Sequence, residues 1–541
     1  WKDELEASPT QALMLGIHDY DEQMEDASRE AEDARIARLR AHVAAAAAID
    51  PDGLTADERI TREVLIFEAG TQADMLEMRE TELDVNHAMG IQAMLPVLFP
   101  QFPIDQPQHA RAMIVKYAAM GTWIDQMTDR LRSGVADGRT PMASTVEKTV
   151  AQIDGHLAAA PESSVFMTIR NPATFTEDEV AAWRNELAAV VRDTMFPAYR
   201  RYRDYIADHV LPASRGEDTP GICHLEGGEE WYRRAIRRYT SVDLTADEIH
   251  EIGLTQIEKL NDEYRELGAE VLGTTDLREI YRHLREDTEL RFNTGEEVRA
   301  ASEVALAKAK AAMGDWFGRL PKADCLVQET PSGPQAFYFP PATDGSRPGT
   351  FFVNTSDPAA WKRYEMEALA YHEGIPGHHL QLAISGELQG IPEFRKHASV
   401  TAYAEGWGLY TERLADEMGL YGGPLERIGM LSADSLRAGR LVVDTGIHAK
   451  GWTRQQAIDF FADNSPQAVS GITEEVDRYI GLPGQALAYM IGRLEIMRMR
   501  AEAQATMGDR FDIKGFHDTV LCSGLVPLET LDRMVKEWAA A

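Results

Sequence analysis

His372, Glu373, His378 and His379 stand together in the run Tyr371-His-Glu-Gly-Ile-Pro-Gly-His-His-Leu-Gln381. Imidazoles beside a carboxylate in so short a stretch suit a hydrolytic zinc ion, which takes three protein donors and leaves a fourth position to water. In the pattern H-E-x-x-H the histidines share one helical face, and the Glu between them is the general base. Here the position four residues after His372 is Pro376. On an unbroken helix, at roughly 100° per residue, His378 falls about 240° around from His372, while His379 regains the face about 10 Å further along. Neither shares an ion with His372 from a straight helix. Pro376 removes a helical hydrogen bond and Gly377 bends at little cost, so a bulge at Pro-Gly is expected to absorb the two extra residues. His378 is then the displaced second ligand. His379 is its reserve, or a group that supports a ligand or faces the substrate.

A third donor should come from a following helix, expected over residues 399–419, where Glu405 sits in Ala-Glu-Gly-Trp-Gly-Leu-Tyr. Tyr403, Trp407 and Leu409 surround it with apolar bulk, in which an unpaired carboxylate is costly and a cation removes the cost. Two imidazoles and one carboxylate suit a single Zn2+. Hydrolysis there needs a carboxylate to take the water proton, assigned to Glu373, and donors for the developing oxyanion. Candidate donors are His448, Arg478, Tyr479 and Tyr489; the two tyrosines flank the turn Leu482-Pro-Gly484, and Tyr489 is preferred. Arg478 is placed either to hold a substrate carboxylate or to pair with Asp477 or Glu475. Asp444 is placed either to orient a ligand histidine or to neutralise Arg440.

The strings HEGIPGHHLQ, AEGWGLY, RLVVDTGIHAKGW and DRYIGLPGQALAYMIG together resemble the bacterial family called domain of unknown function eight-eight-five, grouped by similarity with the gluzincin metallopeptidases. The resemblance runs over most of the chain and is densest from about residue 330 to 500. It implies a largely helical zinc-peptidase-like fold with His372, His378 and Glu405 as ligands and Glu373 as base. It names a reaction more firmly than a substrate.

The elements that must position these residues are mostly helices. Thr55-Ala-Asp-Glu58, Thr176-Glu-Asp-Glu179, Thr245-Ala-Asp-Glu248, Thr294-Gly-Glu-Glu297 and Thr453-Arg-Gln-Gln456 each fit a capping box, in which hydroxyl and carboxylate or amide satisfy the first free amides of a helix reciprocally. Short strand-like runs at 325–329, 335–339 and 350–354, separated by Pro and Gly turns that include Asp344-Gly345, predict a small antiparallel sheet just before the metal helix. If the last of them borders the cleft, its free amides and carbonyls pair with an extended peptide. Asp357-Pro358 reads as the cap and first-turn proline of the helix that carries His372. Pro- and Gly-rich loops lie at 99–108, 211–228 and 331–349, and the second is the best boundary between lobes.

The expected fold is therefore mainly α: a large, two-lobed, helical metallopeptidase-like structure with a small antiparallel β-sheet beside the active site. Residues 1–220 form an N-terminal helical lobe and 221–541 the catalytic lobe. With 55 Lys and Arg against 88 Asp and Glu, the formal charge of −33 argues against nucleic acid or anionic membrane as a partner. A peptide substrate is expected instead. Cys223, Cys325 and Cys522 lack the spacing of a zinc knuckle or disulfide framework, and no apolar run approaches the roughly 20 residues of a membrane span. Scarce cysteine tilts the expectation towards the cytoplasm, with export after removal of a signal peptide as the alternative. Hydrolysis of non-peptide amides, or metal and peptide binding without catalysis, are the competing functional readings.

Overall fold

The helix-start signals act as local chemistry requires. Thr176, Thr245 and Thr453 each accept from the backbone N–H three residues on, and the Glu or Gln at that position reaches back to the cap. Thr55 and Glu58 form the same reciprocal pair. At Thr294 only half of the box forms, because the Glu297 carboxylate accepts from the Asn293 N–H instead. The computed structural model describes residues 1–331, 334–342, 345 and 347–541. The expected turn residue Asp344 lies outside the described residues.

The chain divides into two compact units, one made of Trp1–Ala41 with Ala73–Gly227, the other of His42–Gln72 with Gly228–Ala541. The second unit thus takes in residues 42–72 as well as the C-terminal part of the chain. In the first, α1 (Pro107–Ala136) buries Met113, Tyr117, Met120, Ile124 and Leu131, the 3.6-residue stripe of an amphipathic helix. It packs with α2 (Ala143–Ala158), α3 (Glu177–Val190) and α4 (Phe196–Tyr205) around one apolar core.

In the second unit the elements that build the site are α5 (Ala246–Val271), α6 (Gly295–Trp316), β1 (Cys325–Thr330), β2 (Ala336–Phe339), β3 (Gly349–Asn354), α7 (Met366–Glu373), α8 (His378–Glu387), α9 (Thr401–Glu417), α10 (Pro424–His448), α11 (Val469–Gly481) and α12 (Ala488–Met507). The strand order is β1-β3-β2. The sheet is mixed where an antiparallel one was expected: β1 runs parallel to β3, Cys325 facing Gly349, and only β2 runs antiparallel to it, Ala336 facing Val353. β3 is buried from Gly349 to Val353, the continuous apolar run of a central strand. Both of its edges are paired, so it has no free backbone to offer a peptide; the strand with an open edge near the cavity is β2. The cross-strand neighbours Phe337 and Phe352 stack with ring centres 4.8 Å apart.

Asp357 does cap a turn, accepting from Ala359 N at 3.2 Å, but that turn is the short 3-10 helix Pro358–Ala360. The helix carrying His372 starts later, at Met366, after a second 3-10 turn. α9 and α12 cross where Gly406 meets Gly492; a Cβ added to Gly406 would lie 2.5 Å from the Gly492 Cα. Behind this crossing the buried Asp434 of α10 accepts from Arg413 of α9 at 2.6 Å and from Arg493 of α12. One carboxylate so ties three helices together. Among the described residues no helix is long and apolar enough to cross a membrane, and Cys223, Cys325 and Cys522, each partly exposed, are not joined in disulfides.

Candidate metal centre

The proline and its neighbouring glycines break the helix outright rather than bulging it. α7 ends at Glu373, α8 begins at His378, and the Ile375-Pro376 peptide between them is cis. Close packing selects glycine here: a Cβ on Gly374 would strike Leu306 of α6 at 2.3 Å, and one on Gly377 would fall 1.9 Å from the His372 carbonyl oxygen. Trp407 Nε1 donates to the Pro376 carbonyl at 3.0 Å, fixing the connection against α9. The restart brings the His378 ring edge-on to that of His372, with centres 4.8 Å apart.

Glu405 Oε2 lies 3.4 Å from His372 Nε2 and 3.3 Å from His378 Nε2. One ligand atom from each of the three residues falls within 4.8 Å of the others. Donors set tetrahedrally at about 2.0–2.1 Å from zinc stand roughly 3.3 Å from one another, and the two distances from Glu405 Oε2 match that spacing. The electrostatics favour positive charge at this point. Burial works against a charged His372, yet the carboxylates of Glu405 and Glu412 at its two nitrogens outweigh it and push it up to about 9. Burial likewise opposes the Glu405 carboxylate, and its bonds to His372 and His378 hold it well below the usual range.

Glu412 went unnoticed in the sequence. His372 Nδ1 donates to its Oε1 at 2.8 Å, which orients the ring so that Nε2 faces Glu405 Oε2. Glu405 and Glu412 are two helical turns apart on α9, on one face, and that spacing was the available signal. Asp444, considered for such a role, takes neither part expected of it: it accepts from Tyr232 Oη at 2.5 Å and from Gly484 N at 3.1 Å. Its burial pushes the carboxyl up to about 7. His379 also stands apart, because its two ring nitrogens are engaged elsewhere. Tyr338 Oη donates to Nδ1 at 2.9 Å and Nε2 donates to the Ala323 carbonyl at 3.1 Å; burial pushes this imidazole down to about 4.

A cavity of about 640 Å³ opens beside the three donors, walled by His372, Glu373, His378 and Glu405, by Gln335 to Tyr338 around β2, and by Arg437, Arg440, Arg478 and Tyr489. The Tyr489 ring stacks on His372 at 6.3 Å with 21° between planes. Burial, followed by the nearby Glu405 charge, pushes its phenol up, so it keeps its proton to donate. Tyr479 and His448 do not line the cavity. Tyr479 Oη accepts from Arg440 Nε at 2.8 Å and donates to Glu475, while His448 Nε2 donates to the Tyr479 carbonyl at 3.0 Å. Arg478 does line it, but donates to Glu475 at 3.0 and 3.3 Å and to Gln485 at 2.7 Å.

A second grouping, His18, Asp21 and His109, lies in the first unit. Its two imidazoles stack face to face at 3.7 Å and 8°. A metal bonds an imidazole in the ring plane, and parallel planes do not converge on one ion. The trio around Glu405 is the grouping that fits.

A family described as bacterial protein of unknown function, DUF885, matches residues 9–535. The chain belongs to the DUF885 family. Its fold is that of a "putative lipoprotein" from Colwellia psychrerythraea, with 27% identity, TM-score 0.93, and coverage of 99% of this chain and 97% of that one. A "putative lipoprotein of unknown function" from Shewanella oneidensis shares the fold at 19% identity and TM-score 0.76, covering 98% of this chain and 97% of that one. Among curated proteins none matches. Within this DUF885 chain, each of the motifs that suggested the family contributes to the cavity wall, through His372, Glu373 and His378, through Glu405, through Arg440, and through Arg478 and Tyr489.

Proposed function

We propose that this DUF885 protein is a zinc-dependent hydrolase of peptide bonds in peptides or oligopeptides. The observation that carries the reading is the convergence of three donors, with Glu405 Oε2 3.4 Å from His372 Nε2 and 3.3 Å from His378 Nε2, and Glu373 beside them in the same cavity wall. A zinc ion held by these three would polarise the scissile carbonyl and acidify water. Glu373 takes the proton of the attacking water and delivers it to the departing amine. The Tyr489 hydroxyl donates to the oxygen on which charge develops, and Glu412 keeps the His372 ring in register. Extended substrate lies along the open edge of β2, whose residues wall the cavity. The relatives described as lipoproteins favour an exported setting over the cytoplasmic one expected from cysteine content.

The test combines metal analysis with product analysis. Purified protein should carry one zinc per chain, and a defined peptide mixture should yield new termini by mass spectrometry while acylated amino acids remain intact. Chelation should abolish cleavage and zinc restore it. Glu373→Gln should keep the metal and lose roughly 10²–10⁴-fold in kcat. A Glu373→Gln variant with the parent's turnover, or cleavage indifferent to metal, would falsify the mechanism.

A further inference from the structure

The cavity wall also holds Arg437, Arg440 and Arg478, set among the carboxylates of Glu365, Glu412 and Glu475. Arg440 and Arg478 share one partner, Glu475: Arg440 Nη2 donates to Glu475 Oε2 at 2.8 Å and Arg478 Nη2 to the same oxygen at 3.0 Å. Arg478 is fully engaged, its third nitrogen donating to Gln485. Arg440 is not. It is only 6% exposed, yet its Nη1 has no hydrogen-bond partner among the described residues. One α10 turn earlier, Arg437 donates to its own helix at Ala433 and stands 3.9 Å from Glu412, and its buried Nε likewise has no partner. A buried guanidinium N–H left unpaired is costly, and both arginines line the cavity.

Their position relates them to the donor atoms. The Arg440 and Arg437 guanidinium carbons lie 4.4 and 5.9 Å from the centre of the Tyr489 ring, and the His372 ring stacks on it at 6.3 Å. Tyr489 thus contacts both the His372 ring and the two guanidinium groups, and the span from the candidate metal centre to those groups is one that one or two extended residues cover at about 3.5 Å each.

We propose that Arg437 and Arg440 form a subsite for a peptide carboxylate, so that the bond presented for cleavage lies one or two residues from that anion. The proposal rests on the hydrolase reading for its consequence but not for its binding chemistry. Planar carboxylates pair with guanidinium N–H groups by charge-assisted hydrogen bonds. The anion has two possible sources, a free C-terminus or an Asp or Glu side chain, and each predicts a different ligand.

Calorimetric titration of the full chain with N-acetylalanine, N-acetylalaninamide and N-acetylglutamate α-amide reads the subsite without turnover. N-acetylalanine should bind at least tenfold more tightly than its amide, which assigns the subsite to the free C-terminus. Equal strength from the glutamate α-amide would assign it to side-chain carboxylate. Arg437→Gln should shrink the discrimination to under threefold while the far-UV spectrum and melting temperature stay near the parent's. Arg440→Lys, which keeps the charge but loses Nη1, should weaken acid binding without affecting the amide. Equal binding of acid and amide by the parent, or discrimination intact in both folded variants, overturns the proposal. Should acids bind selectively while no peptide is cleaved, the subsite stands and the hydrolase reading is what fails.

Discussion

A carboxylate beyond the candidate donor set, Glu412, is the one that orients the His372 ring. Glu412 accepts from His372 Nδ1 at 2.8 Å, and such partners raise ligand basicity and fix ring orientation. Glu412→Gln should therefore lower zinc affinity roughly 10–100-fold, measured by competition with a chromophoric chelator; unchanged affinity would remove Glu412 from the site. Asp444 gives a different prediction. Burial raises its folded value to about 7, against about 3.9 in an unfolded chain. Between those values the folded protein holds a proton that the unfolded chain has released, so this residue's contribution to stability declines as pH rises from about 4 to about 7 and then levels off. Three units amount to at most about 4 kcal/mol. Urea unfolding across that range should show Asp444→Asn gaining on the parent as pH rises; parallel curves would show that the carboxyl titrates normally. The grouping of His372 and His378 with Glu405 was legible because the two imidazoles are close in sequence and Glu405 sits in an apolar helical run that makes an unpaired carboxylate costly. Glu412, Arg437 and Arg440 could not, because their roles depend on which side chains three separate helices bring together.

Helices meet here at glycine, and the crossing of α9 and α12 sets the distance between Glu405 and Tyr489. A Cβ on Gly492 would sit 2.0 Å from the Ala402 carbonyl oxygen, with backbone rather than a flexible side chain in its way. Gly492→Ala should cost about 1–3 kcal/mol in denaturant unfolding and lower kcat by moving the hydroxyl donor, with bound zinc largely retained. Loss of zinc at full stability would mean that the crossing does something else. Capping chemistry made five helix starts legible, those at Thr55, Thr176, Thr245, Thr294 and Thr453, and the run of Phe and Val around Phe351 made β3 legible as a strand. Direction was not legible. Whether β1 runs parallel or antiparallel to β3 depends on the path taken through residues 331–348, which no period-two pattern records. The break at Pro376 was foreseen as a bulge because propensity describes the helix and not the Leu306 and Trp407 side chains that close on the gap.

At the scale of the whole chain, a formal charge of −33 contrasts with the Arg437 and Arg440 guanidinium groups in the cavity wall. Long-range attraction and local recognition therefore have opposite signs. Peptides with a basic N-terminal portion should be captured faster at low ionic strength, and kcat/KM for them should fall several-fold between about 0.02 and 0.5 M salt while neutral peptides change little. An equal response from both would show that the outer charge does not steer. The Glu475 carboxylate shared by Arg440 and Arg478 has a kinetic consequence as well. If a substrate is anchored by its carboxylate beside those guanidinium groups, the fragment left after hydrolysis keeps that anchor while losing the rest of its contacts. Under the proposed hydrolysis its escape then becomes the slow event, and the small carboxylates that accumulate would act as inhibitors of their own formation.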